Sequence, residues 1–145
     1  MESSRQNNLF DPVRNCFVAA TPEERVRQKW LQAMISDLGY PREFLAVEKE
    51  LRHLPHLLHD PHVPERRADI ICFARGIHAE HPLYPLLLIE CKQDILSAKA
   101  LDQVMAYNYY VGAPFVAAVN GTHIIMNRGL HTLPSYQELM RQVAL

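Results

Sequence analysis

Net charge is what this sequence most lacks. Its 15 Lys and Arg offset 16 Asp and Glu, leaving a formal charge of −1 with the histidines neutral. No global basic field is available to hold a polyanion, so any contact with nucleic acid has to come from a local patch. Long hydrophobic runs are missing too. Even the aliphatic run Leu86–Ile89 is far short of the roughly 20 apolar residues that span a bilayer. The N-terminal stretch MESSRQNNLFDP is polar and lacks the apolar core of a signal peptide. Cys16, Cys72 and Cys91 are odd in number and have no C-x-x-C spacing, which speaks against a disulfide framework and against a zinc ribbon. No membrane and a reducing cytoplasm are the expectation. There is no G-x-x-x-x-G-K-[ST] segment, hence no phosphate loop of an ATP-driven motor. Internal repeats and low-complexity tracts are absent as well.

What remains is an ordinary globular composition, 48% hydrophobic and 21% charged over 145 residues, enough for one domain with a real core. Residues 1–20 show little periodicity and read as an N-terminal extension, and 21–145 as a single domain. Thr21 is placed to cap a helix, with Pro22 at its first position, Glu23 and Glu24 at its positive end, and Gly39 and Pro41 beyond its end. Strands are expected over 44–54, 67–75, 85–92, 114–120 and 122–127, with Asn120-Gly121 as a hairpin turn. A helix over 97–112, capped by Ser97, separates the third strand from the fourth, and SYQELMRQVAL closes the chain as a short helix. The order α-β-β-β-α-β-β-α indicates a mixed α/β sheet flanked by helices.

The segment PLLLIECKQD poses the chemical question. Its aliphatic run marks a buried strand, yet it ends in Glu90 and Lys92, whose burial costs free energy unless they are paired or ligated. Strand alternation puts Glu90 and Lys92 on one face. If the second and third strands pair as a meander, Asp69 lies beside Glu90. Two carboxylates in contact repel, so a bridging divalent cation would account for them, and hard oxygen ligands point to Mg²⁺ or Mn²⁺. Lys92 would then orient water or stabilise charge on a phosphate. The plainer reading is a Glu–Lys pair at the solvated end of a strand. Gln103 and Tyr107 share one face of the following helix, although each taken alone fits a surface or packing role.

Taken together, TPEERVRQ, LGYP, VEKEL, RRADI, LLLIECK, DQVMAYN and VNG, in that order over about residues 21–121, resemble the PD-(D/E)XK nuclease superfamily. More narrowly they resemble the N-terminal domain of type I restriction enzyme R subunits, in the branch that includes small stand-alone proteins. The resemblance implies a restriction-endonuclease-like fold and phosphodiester hydrolysis in DNA by metal-activated water. Asp69, Glu90 and Lys92 match the catalytic set, with Asp69 and Glu90 holding the metal. Glu24 matches a further metal contact, although a Glu in a first helical turn is expected from the dipole alone. Gln103 and Tyr107 match the element that positions the nucleic acid. A separately encoded motor or specificity subunit is the implied protein partner. The alternative is a nuclease-fold module that binds nucleic acid or protein without cutting.

Several side reads accompany this. Glu48 and Glu50 could approach the site or pair with Arg66 and Arg67. Arg52, Arg66, Arg67, Arg75 and Lys99 are candidate phosphate contacts. His53, His56, His59 and His62 recur every three residues, but Pro55 and Pro61 break any continuous helix that would gather them around a metal.

Overall fold

The computed structural model describes residues 7–145; the first six residues of the expected extension lie outside them. The chain begins with a hairpin, β1 (Asn8–Asp11) and β2 (Cys16–Ala19), in which Phe10 faces Phe17 across the ladder. From there the order is α1 (Pro22–Ser36), β3 (Leu45–Glu50), β4 (Arg67–Arg75), β5 (Leu83–Cys91), α2 (Ala98–Val111), β6 (Phe115–Val119), β7 (Ile124–Met126) and α3 (Tyr136–Val143). The five strands β3 to β7 form one sheet in sequence order, antiparallel except for β5 and β6, which run parallel across the α2 crossover. The fold class is the expected one: a mixed α/β sheet flanked by helices.

Each face of the sheet has its own core. Val26, Leu31 and Met34 of α1 and Leu139 of α3 pack on Ile70, Cys72, Leu87, Ile89 and Phe115. On the other face Val104, Tyr107 and Val111 of α2 cover Ile71, Phe73, Leu88 and Val116. β5 is buried on both faces, as its unbroken aliphatic run requires. Ile70 pairs with Ile89 and Ile71 with Leu88. That register, continued one step, sets Asp69 opposite Glu90.

Local differences have physical reasons. Thr21 caps α1 through its side chain, but Ser97 occupies the cap position of α2 with no side-chain cap bond. The first sheet strand stops at Glu50 rather than 54, because residues 51–53 and 55–57 tighten into single 3₁₀ turns around Pro55. Within β3 the ladder passes from Val47↔Ile70 to Lys49↔Ala68, skipping Glu48, whose φ of 51° is left-handed. The β6–β7 turn does not rely on glycine geometry at Gly121. Its Asn120 side chain accepts from the backbone N–H groups of Thr122 and His123 instead.

Candidate active site

Every charged group of interest gathers where β4 begins and β5 ends, beneath the N-terminus of α1. Asp69 and Glu90 are 6% and 9% exposed. Asp69 Oδ2 accepts the Cys91 backbone N–H at 2.7 Å, and its Oδ1 accepts from Arg27 Nη2 at 2.7 Å. Glu90 Oε2 accepts from Tyr107 Oη at 2.5 Å, and Oε1 from Arg66 Nη2 at 3.2 Å. The Arg66 guanidinium also stacks 4.3 Å from the Tyr107 ring centroid. Burial first, and then the negative charge of Asp69, push the Glu90 carboxyl up to about 7, against the Tyr107 hydrogen bond and the charges of Arg66 and Lys92. Burial and the Glu90 charge push the Tyr107 hydroxyl up, so it stays a donor.

α1 contributes two adjacent glutamates with different fates. Glu24, expected at the metal, is held by cations: Arg14 Nη2 at 2.6 Å and Arg27 Nη1 at 2.7 Å meet its Oε1, while Gln28 Nε2 donates to its Oε2. Although burial opposes it, these partners hold its carboxyl below the usual range. Glu23 instead lines the cleft with Glu90, Cys91, Lys92, Gln93 and Asp94, a cavity of about 350 Å³. Burial and a hydrogen bond shared with Asp69 push the Glu23 carboxyl up. One helical step, about 100° of rotation, separates the two outcomes.

Arg27 organises the cluster. It is 2% exposed and bridges Glu24 and Asp69, with Glu23 at 3.3 Å and Glu48 at 3.5 Å. Its Nε is buried without a partner among the described residues. Burial works against its charge, yet Asp69 and Glu24 raise its pKa, so the guanidinium remains a cation. Arg14, in the turn of the leading hairpin, ties fully buried Asp11 to Glu24 and Glu48. Neither Arg14, Asp11 nor Arg27 was foreseen as part of the site. Arg27 does follow Glu23 at i,i+4 and Glu24 at i,i+3, a spacing that could have flagged the pairing. Arg14 and Asp11 sit in a stretch without periodicity and carried no such signal.

Lys92 is half-buried at the cleft, with its backbone N–H bound to Val119 and its side chain unpaired among the described residues. Gln103 is exposed and makes no hydrogen bond among those residues, so only Tyr107 of the Gln103/Tyr107 pair reaches the carboxylates. Cys91 faces the α1 side of the core, and burial followed by Asp69 pushes its thiol up, leaving it an inert packing group. Of the side reads, Glu50 meets Arg67 at 4.0 Å, while Glu48 turns to Arg14 and Arg27. Arg52 donates to the Val63 carbonyl.

The donor set consists of carboxylate oxygens, the chemistry of a hard divalent cation. As the side chains stand, no three His, Cys, Asp or Glu among the described residues are disposed to hold a metal ion. His53, His59 and His62 are exposed, while His56 packs with His78, His81 and Tyr84 at the opposite end of β5.

Sheet topology and a buried acid pair at the end of the central strands define a mixed α/β protein consistent with the restriction-endonuclease-like fold. The chain belongs to the family described as type I restriction enzyme R protein N terminus, whose model matches residues 22–141. The leading hairpin therefore precedes the matched segment. Comparison with curated proteins and with solved structures returned no match. No helix among the described residues is long and apolar enough to cross a membrane.

Proposed function

We propose that this chain is a divalent-metal-dependent phosphodiester hydrolase acting on DNA, built on Asp69, Glu90 and Lys92. The observation that carries the reading is electrostatic. Asp11, Glu23, Glu24, Glu48, Asp69, Glu90 and Asp94 crowd this end of the sheet beside Arg14, Arg27, Arg66 and Lys92, and burial beside Asp69 forces Glu90 up to about 7. Carboxylates crowded around a buried acid that resists ionisation are what a divalent cation would relieve.

Asp69 and Glu90 would hold the ion, with Glu23 rather than Glu24 as the neighbouring carboxylate. A bound Mg²⁺ or Mn²⁺ would supply an activated water and stabilise the leaving oxygen. Arg27 pairs with Asp69 and fixes its orientation. Tyr107 holds Glu90 through Oε2 and leaves Oε1 for the weaker contact from Arg66, which a ligand can displace. Lys92 faces the same cleft as the unpaired cation, suited to a phosphate oxygen. Arg66, stacked on Tyr107, is the basic group best placed to meet a second phosphate. DNA as substrate, a restriction or DNA-processing setting, and a motor or specificity subunit as partner are inferences from the family.

One observation favours a second reading. Arg27 already neutralises Asp69, and no three acids among the described residues are disposed to hold a metal ion, an arrangement that would also suit a nuclease-fold module that binds without cutting. The test is incubation of the protein with plasmid, linear duplex and single-stranded DNA in Mg²⁺ or Mn²⁺, beside Glu90→Ala and Lys92→Ala. Cleavage lost in both variants supports the enzyme. Cleavage equal in all three proteins marks a contaminant and overturns it. Calorimetric metal binding that vanishes in Glu90→Ala separates the enzyme from the module.

A further inference from the structure

A second cavity adjoins the acidic cleft. It encloses about 520 Å³ and is lined by Ile95, Leu96, Asn120, Thr122, His123, Ile124, Ile125 and His131. The chain leaving β5 walls both in turn: Lys92, Gln93 and Asp94 face the acidic cleft, and Ile95 and Leu96 the second cavity. Lys92 and Ile95 are three residues apart, at most about 11 Å of extended chain. Both cavities lie at the carboxyl ends of the parallel strands β5 and β6, where open α/β sheets bind ligands.

The partition between them is fixed. The Asn120 side-chain amide donates to the Asp94 carbonyl at 3.0 Å. Trp30 Nε1 donates to the Asn120 carbonyl at 2.7 Å, and Lys29 Nζ to that of Gly121. The same helix that carries Glu23 and Arg27 thus sets the position of this turn. The two cavities differ in chemistry. No Asp, Glu, Lys or Arg lines the second one; its walls are aliphatic, with amide, hydroxyl and imidazole groups between them. Ile95 stands 93% exposed at its edge, a large apolar side chain that nothing among the described residues covers.

We infer that this second cavity receives an unpaired nucleobase of a DNA strand whose phosphate lies at Lys92. A flat ring with an apolar face and polar edges matches aliphatic walls set with neutral hydrogen-bonding groups. A phosphate is a poorer match, because no Lys or Arg lines the cavity. A base still paired in a duplex has its edge engaged and cannot enter. The inference rests on the proposed hydrolase and sharpens its substrate class to single strands, frayed ends or displaced strands.

Binding tests it without cleavage. Fluorescence anisotropy would compare dye-labelled oligothymidine, an abasic strand of equal length and a blunt duplex, in Ca²⁺, with wild type and Ile95→Asp. Because Ile95 is exposed, its replacement leaves folding intact, which thermal melting checks. The expected result is a preference for oligothymidine over both other probes, reduced roughly fivefold or more by Ile95→Asp, as loss of one base contact implies. An abasic strand bound as tightly as oligothymidine overturns the inference, as does an Ile95→Asp affinity equal to wild type. If DNA is cleaved but Ile95→Asp binds normally, the base site fails and the hydrolase stands. If base-dependent binding through Ile95 occurs with no cleavage, the hydrolase fails and the base site stands.

Discussion

The two ends of β5 solve the same problem differently. Both are places where an apolar strand runs into polar side chains. At the carboxyl end, Glu90 is buried against Asp69; Tyr107 and Arg66 hold Glu90, while Arg27 and the Cys91 backbone N–H hold Asp69. At the amino end, Tyr84 stacks on His78 with centroids 4.4 Å apart, and His56 and His81 close around it at 5.0 and 5.8 Å. These rings are half-buried and held by packing. His56 adds a hydrogen bond to the Val111 carbonyl, and Tyr84 lies against Gly112 at the end of α2. One end buries formal charge and must hold it with charge. The other uses neutral aromatic contacts that tolerate water. A fold has no need of the costlier solution, so the costlier end is where function is to be sought.

The contrast can be broken in order of size. Arg27→Met leaves Asp69 and Glu24 without their shared cation and should cost about 3–5 kcal/mol in urea denaturation. A loss no larger than that of a surface arginine would erase the distinction between the two ends. At the other end, Gly112→Ala forces a Cβ into the Tyr84 hydroxyl at a residue with φ +77° and should cost about 1–3 kcal/mol.

Glu90→Gln should act in the opposite direction. Its folded pKa, about 7, lies above the ordinary 4.5, so the folded state binds the proton more tightly. That contribution is complete below about 4.5 and is lost as pH rises through about 7. Without divalent metal, the variant should exceed wild type at pH 8 by on the order of 1–2 kcal/mol, and the gap should close by about pH 5. Added Mg²⁺ should raise the wild-type Tm more at pH 8 than at pH 6, and the variant's hardly at all. His56→Ala, the mildest change, should cost about 1 kcal/mol, the worth of one hydrogen bond and its packing.

Much of this was legible before any coordinates. Strand alternation put Asp69 beside Glu90, and the β4–β5 register agrees. The second strand runs over Arg67–Arg75, as its β-rich stretch indicates, and Thr21 caps α1. What escaped was side-chain aim. Glu23 and Glu24 satisfy the same helix-dipole rule, and only packing decides which one faces the cleft. Arg27 carried no mark because arginine is rarely buried, and its burial follows from Glu23 and Glu24 on its own helix together with Glu48 and Asp69 from distant strands. The histidine period of three did not reveal the ring cluster around Tyr84. His56 finds its neighbours in His78 and His81, more than twenty positions away.

Glu48 has one further consequence. β3 forms an edge of the sheet, where unpaired backbone groups would offer a template to a second chain. The left-handed kink that turns Glu48 toward Arg14 and Arg27 interrupts that template at mid-strand, and Lys49 and Glu50 follow it with further charge. A residue that belongs to the ion-pair cluster beside the cleft therefore also guards this border against strand-to-strand aggregation.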